Sequence, residues 1–299
     1  MRRLAAKQKV FAIAGLLSGA VVWGLVWHPY RLLEQAGIPG DLSSLVTYLV
    51  ASLLGMVLFR RSLPRLGRAP MVLLWLALTA GWANLAYVLA VIGGEVMRVL
   101  LLFYLAPLWT VVFSHVLLGE RLSREGYLVM LLSLGGAIVM LWDPNGGLPL
   151  PQSVAEWLGL SAGVSFALTN VLTRHAQHLA IELKSLGVWF GTCALAAMLL
   201  AGNPEKLAVL SDLPASIWLL LFAIGLVIFL VTITVQYGLT HTPANQSVVI
   251  LLFELVVAAI SSYFLAHEIM QIKEWIGGAM IVTASLFSGK VEKRYAEDR

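Results

Sequence analysis

The chain has 299 residues, 60% of them hydrophobic and 12% charged, with a formal net charge of +4 and a mean hydropathy of +0.87. A soluble domain is nearer a quarter charged. This composition excludes a water-coated globule and defines an integral membrane protein. A spanning backbone must satisfy itself in helices or in a closed barrel. The apolar runs are continuous and near the ~20 residues a bilayer helix needs, with no strand-like alternation, so the fold class is all-α. The one cysteine, Cys193, excludes an intrachain disulfide. The basic residues lie at the ends of apolar runs, where membrane topology rather than nucleic acid accounts for them.

The N-terminal "MRRLAAKQKV" leads into "FAIAGLLSGAVVWGLVW". No small-residue cleavage site precedes a polar chain, so this is read as a retained first span. Ten spans follow from the apolar runs, at about 10–27, 42–59, 71–92, 97–117, 125–142, 157–173, 185–201, 216–238, 246–266 and 274–289. Turn chemistry marks the connections "GIPGD", "DPNGGLPLP", "GNPEK" and "SDLP". With the N-terminus in the cytoplasm, 16 of the 20 Lys and Arg fall on the cytoplasmic side. Only Arg31, Arg98, Lys206 and Lys273 fall outside. That asymmetry follows the positive-inside rule and places both termini in the cytoplasm.

A repeat emerges at a shift of 148 residues. It lays Gly119-Glu120 over His267-Glu268 and Ala106 over Glu254, while "GLLSG" at 15–19 parallels "GLSAG" at 159–163. Two halves, 1–150 and 151–299, would each hold five spans. An odd number inverts the second half, an arrangement common in secondary transporters, whose substrate site lies near the midplane at the repeat interface.

"APLWTVVFSHVLLGERLS", "FELVVAAISSYFLAHEIM" and the opening "AVVWGLVWHPYRLLEQAG" resemble the EamA-type family of the drug/metabolite transporter superfamily over nearly the whole chain. The family's usual Glu-Pro is Glu254-Leu255 here, so no proline demands a kink in span nine. The resemblance implies ten helices in two inverted five-helix repeats around a central cavity. It also implies transport of small metabolites, often amino acids, by exchange, facilitated movement or ion coupling.

Glu254 is the acidic residue set well inside a span, about seven positions in, or roughly 10 Å. An ionised carboxylate facing lipid there would cost several kcal/mol, so Glu254 should face the bundle or a wet cavity, as a proton-coupling or substrate residue or as a structural hydrogen-bonding group. Glu120 and Glu268, just past spans four and nine, are expected to cap the helices that follow them. Further polar and aromatic residues recur at helical spacing: Trp23 and Trp27, Asn84 and Tyr87, Phe166 and Asn170, Thr232 and Gln236. Together with Glu254 they are the expected substrate-cavity lining; their alternative is interhelical packing. Trp142, Trp157, Trp218 and Trp75 sit at span ends as interfacial anchors. Glu95 and Arg98 are placed for an ion pair, and His175 and His178 lie in a basic loop without a third metal ligand.

The chain contains no HExxH, no GxSxG elbow and no clustered aspartates, which argues against a membrane enzyme. Ten dissimilar spans do not repeat a selectivity filter. The expectation is a secondary-active transporter in the inner membrane, not an enzyme, needing no cofactor or metal. It would act as exporter or exchanger of a small polar or amphipathic metabolite, an amino acid or amine. Its partners are the substrate and the lipid bilayer, not nucleic acid, and the oligomeric state is left as monomer or homodimer. A membrane enzyme, channel or scaffold is the alternative.

Overall fold

The computed structural model describes residues 2–66, 70–94, 96–141, 151–265 and 271–297. No strand occurs among them. The first half comprises α1 (Arg2–Gln35), α2 (Gly40–Leu58), the short α3 (Leu63–Leu66), α4 (Met71–Gly93), α5 (Val96–Phe103), α6 (Ala106–Leu118) and α7 (Arg124–Leu141). The second comprises α8 (Val154–His175), α9 (Ile181–Ala201), a 3-10 segment (Pro204–Asp212), α10 (Ala215–His241), α11 (Ala244–Leu251), α12 (Phe253–Leu265) and α13 (Ile272–Glu297).

Eight of the described helical stretches are long and apolar enough to cross a membrane, against ten expected. The two that fall short are α8 and α13. The apolar part of α13 is the shorter stretch Trp275–Phe287. In α8 the cause is polarity. Its 22 residues include Thr169, Asn170 and Thr173, all buried. A helix shielded from lipid by its neighbours does not need a fully apolar surface.

Spans four and nine are both broken, at positions the 148-residue shift superimposes. The first break falls at Tyr104 and Leu105, between α5 and α6. Pro107 occupies the first turn of α6, where its missing N–H removes no helical bond. The second falls at Leu252, between α11 and α12. No proline is present there, so span nine breaks without the residue that would demand it. The ladder instead tightens, the Leu255 N–H bonding the Leu252 carbonyl three residues back at 3.1 Å.

The packing obeys an exchange of halves. α1 packs on α10 and α12 of the second half, while its counterpart α8 packs on α4, α5 and α6 of the first. α4 against α9 mirrors α10 against α2, and α7 packs on its own counterpart α13. The halves are therefore interlocked rather than side by side. Small residues make the closest crossings. A Cβ on Gly163 would overlap the Phe103 carbonyl, and one on Gly15 the Thr234 carbonyl, so both GxxxG stretches serve contacts within the chain.

Candidate functional site

Glu254 stands in the first turn of α12. It is the eleventh residue of the 22-residue stretch Ala244–Leu265, hence at its midpoint. α11 starts earlier than the sequence suggested, so Glu254 lies roughly 15 Å into the span rather than 10 Å. A half-helix N-terminus favours an anion beside it, which gives a local reason for a carboxylate after the break. Tyr104, on the other broken span, and Tyr87 both lie close enough to the Glu254 side chain to interact with its charge. The two breaks thus face each other through a tyrosine and a carboxylate.

Aromatic rings line this place. Phe103 lies 5.0 Å from Tyr87, 5.2 Å from Tyr104 and 5.5 Å from Phe166, centroid to centroid. Tyr87, Phe166 and Glu254, three of the expected site residues, therefore come together around the broken spans, with Tyr104 and Phe103 added. Sequence reasoning missed Tyr104 because it lies in an apolar run. Its signal was positional, since it is the repeat counterpart of Leu252, two residues before Glu254.

The other expected residues distribute differently. Trp23 packs with the cluster built around Trp189, Tyr48 and Phe229. Trp27, one turn on, donates its indole N–H to Ser261 of α12 at 2.9 Å. Asn84 donates to the Ala80 carbonyl at 2.8 Å and Thr232 to the Ile228 carbonyl at 2.7 Å. These are equivalent bonds in the two halves, each returned to the residue's own helix. Asn170 and Gln236 are buried, and the Asn170 Nδ2 and Gln236 Oε1 have no hydrogen-bond partner. A buried unpaired amide atom costs about 1–3 kcal/mol. The two therefore keep capacity for a further group, whereas the Thr232 hydroxyl proton and one N–H of Asn84 are already given to their own helices.

Glu120 caps a helix of the other half. Its Oε2 accepts the Ala244 backbone N–H at 3.2 Å, at the start of α11 in the other half. Its Oε1 lies 3.9 Å from the Arg174 Nε. Arg174 Nη1 donates to the Thr240 carbonyl at 2.5 Å. Lys184 falls one residue before the expected span seven at 185–201. It lies inside α9, fully buried, donating to Thr240 Oγ1 at 2.5 Å. At the opposite end Lys206 pairs with buried Asp41 at 2.6 Å. Trp75, Trp157 and Trp218 are well exposed, as surface anchors would be. His175 and His178 are exposed too. Trp142, Glu95, Glu268 and the side chain of Arg98 lie outside the described residues.

Two interlocked repeats with broken spans at corresponding positions resemble the build common among membrane transporters. The EamA-like transporter family matches residues 10–142 and again 153–289, and the chain belongs to that family, within the drug/metabolite transporter superfamily. It is similar to an "Uncharacterized transporter" of Archaeoglobus fulgidus, 27% identical over 226 residues, covering 74% of this chain and 77% of the relative. It is also similar to "Protein RarD" of Escherichia coli K12, 26% identical over 235 residues and 74% of each chain. The match to "Protein RarD" of Salmonella typhi spans 60% of each. A solved structure titled "Crystal structure of protein" shares the fold at a TM-score of 0.72 and 20% identity. The match covers 96% of this chain and 98% of the other. The chain is a multi-pass membrane protein of transporter class.

Proposed function

We propose that the chain is a secondary-active transporter carrying a small polar or amphipathic metabolite, amino-acid or amine-like, across the inner membrane by export or exchange. Glu254 is its proton-coupling or substrate-contacting group. The observation that carries the reading is the midpoint carboxylate at the break of α11 and α12, facing Tyr104 at the break of α5 and α6. Aromatic rings beside a carboxylate suit a cationic amine, which gains from both the charge and the ring faces. Trp23, Trp27, Asn84, Asn170, Thr232 and Gln236 complete the proposed passage. Alternating access is by rearrangement of the packed helices about this site, with both termini in the cytoplasm.

Single cysteines in a Cys193→Ala background test the passage and its orientation together. Impermeant thiol reagent applied to intact cells should label Ser211→Cys and not Gln177→Cys, two exposed positions on opposite sides. A small permeant polar reagent should label cysteines at Asn170 and Gln236, and substrate should protect them. Leu131→Cys, on the exposed outer face, should react slowly and without protection. Reversed labelling at Ser211 and Gln177 would overturn the orientation, and inert Asn170 and Gln236 positions would make them packing residues.

A further inference from the structure

We propose that a polar cavity where α11 begins takes the primary carboxamide group of a small solute, paired with the side chain of Gln246. The site is separate from Glu254, and it rests on the transporter reading above only for the solute's onward passage. The cavity holds about 250 Å³ and lies between the N-terminal part of α1, the C-terminal ends of α8 and α10, and the first turn of α11. Water takes roughly 30 Å³ per molecule in the liquid, so a carboxamide on a small ring or a short chain fits.

The wall groups differ in what they have left to offer. The Thr240 hydroxyl accepts from Lys184 and donates to the Gln236 carbonyl. His241 Nδ1 lies 2.8 Å from the Tyr237 carbonyl. Arg174 donates to the Thr240 carbonyl and lies 3.9 Å from Glu120, and Lys9 has an interaction of its own. Gln246 is different. It lines the cavity and is only 7% exposed, and neither its Oε1 nor its Nε2 has a hydrogen-bond partner among the described residues. A buried amide left unmet is costly.

The unmet atoms define the chemistry of the ligand. Gln246 lacks both an acceptor for its N–H groups and a donor for its carbonyl. An anion supplies acceptors only, and a cation supplies donors only. A second primary carboxamide supplies both side by side and closes two N–H···O bonds with Gln246. This complementarity does not depend on the charge of the walls. The same need recurs one turn deeper on the flanking helices. Asn170, four residues before Arg174 on α8, has its Nδ2 without a partner, and Gln236, four before Thr240 on α10, has its Oε1 without one. Residues four apart share a helix face and are separated by about 6 Å along the axis. A donor and an acceptor thus stand open again on the way from the cavity into the bundle.

Equilibrium dialysis of radiolabelled nicotinamide against the full purified chain in neutral detergent, beside protein-free micelles, tests this. Nicotinamide is neutral, carries one primary carboxamide and has no amine to engage Glu254. One saturable site is expected. Nicotinate, with a carboxylate in place of the carboxamide, should bind about tenfold more weakly at neutral pH, because it leaves the Gln246 carbonyl unmet. Gln246→Met, which keeps the length of the side chain but neither hydrogen-bonding atom, should weaken nicotinamide binding to a similar degree. The preference for nicotinamide over nicotinate is read on the unaltered chain, so the test stands even if Gln246→Met does not fold. A cavity filled by water alone gives no saturable site and would overturn the proposal. Equal affinity for the two probes, or an affinity for nicotinamide unchanged in a folded Gln246→Met, would overturn it too. Amide-selective binding without solute flux in proteoliposomes would keep this site and remove the transporter reading, and flux without amide-selective binding would do the reverse.

Discussion

Glu254→Gln should leave solute-for-solute exchange intact and abolish uptake driven by a pH gradient. Gln keeps the size of Glu and its capacity to accept a hydrogen bond, but it cannot gain or lose a proton. The gradient-driven rate of the variant should fall on the order of tenfold or more, as expected when a positioned proton carrier is removed. Its exchange rate should stop responding to pH near neutrality. A structural carboxylate predicts otherwise: Gln preserves most contacts at the α12 N-terminus, and both modes survive with their pH response unchanged. A variant that binds no solute in either mode would make Glu254 a direct substrate contact and would favour an amine-bearing solute. Gradient-driven uptake at the wild-type rate would remove proton coupling from the account. Tyr104→Phe is the companion variant. It deletes the hydroxyl that faces the carboxylate and should shift the pH response without abolishing transport.

Gly191→Ala should destabilise the fold although it adds a single methyl group. α4 and α9 cross so closely that a Cβ on Gly191 would overlap the Ala77 carbonyl, and one on Gly81 would sit 2.5 Å from the Gly191 carbonyl carbon. Backbone stands on both sides of the contact, so no side chain can rotate away. Overpacking of this kind costs about 1–3 kcal/mol, sometimes more. The crossing joins the two halves, so the loss should appear as a lowered thermal midpoint and a broadened size-exclusion peak in detergent. Gly202→Ala is the control. A Cβ there meets only the Leu199 carbonyl, at 3.5 Å, and the midpoint should not move. An unchanged midpoint in Gly191→Ala would contradict the close α4–α9 crossing.

What the sequence made legible follows from which interactions are local. Hydropathy placed α2, α4, α7, α9 and α10 within a few residues, because lipid exposure acts on every residue of a span. The repeat shift paired spans four and nine without announcing that either is broken, and Glu254 stood out as a carboxylate within an apolar run. Long-range partners were not legible. Glu120 sits one residue past a glycine in the left-handed conformation, Gly119, and looked like a cap for the helix after it. Its partner, Ala244, is 124 residues away in the other half. Lys184 resembled a loop cation because span seven was begun at 185, four residues after α9 starts at Ile181. The hydroxyl of Thr240 that receives it lies in a polar run read as a connection. Asn84 and Thr232 have the spacing of cavity residues, yet their donors return to their own helices. Periodicity gives the face of a helix, not which of a residue's donors its own helix already takes. The break at Leu252 arises from backbone geometry without the proline that would have announced it.

Flux into proteoliposomes tests the central claim most directly. Purified chain is reconstituted, a mixture of amino acids and small amines is presented outside, and the lumen is sampled over time by mass spectrometry beside protein-free vesicles. The account predicts that a subset of solutes enters saturably and chemically unchanged, and that preloading the same solutes accelerates their entry. Entry no faster than into protein-free vesicles for every amino acid and amine, or recovery of chemically altered solute, would contradict it.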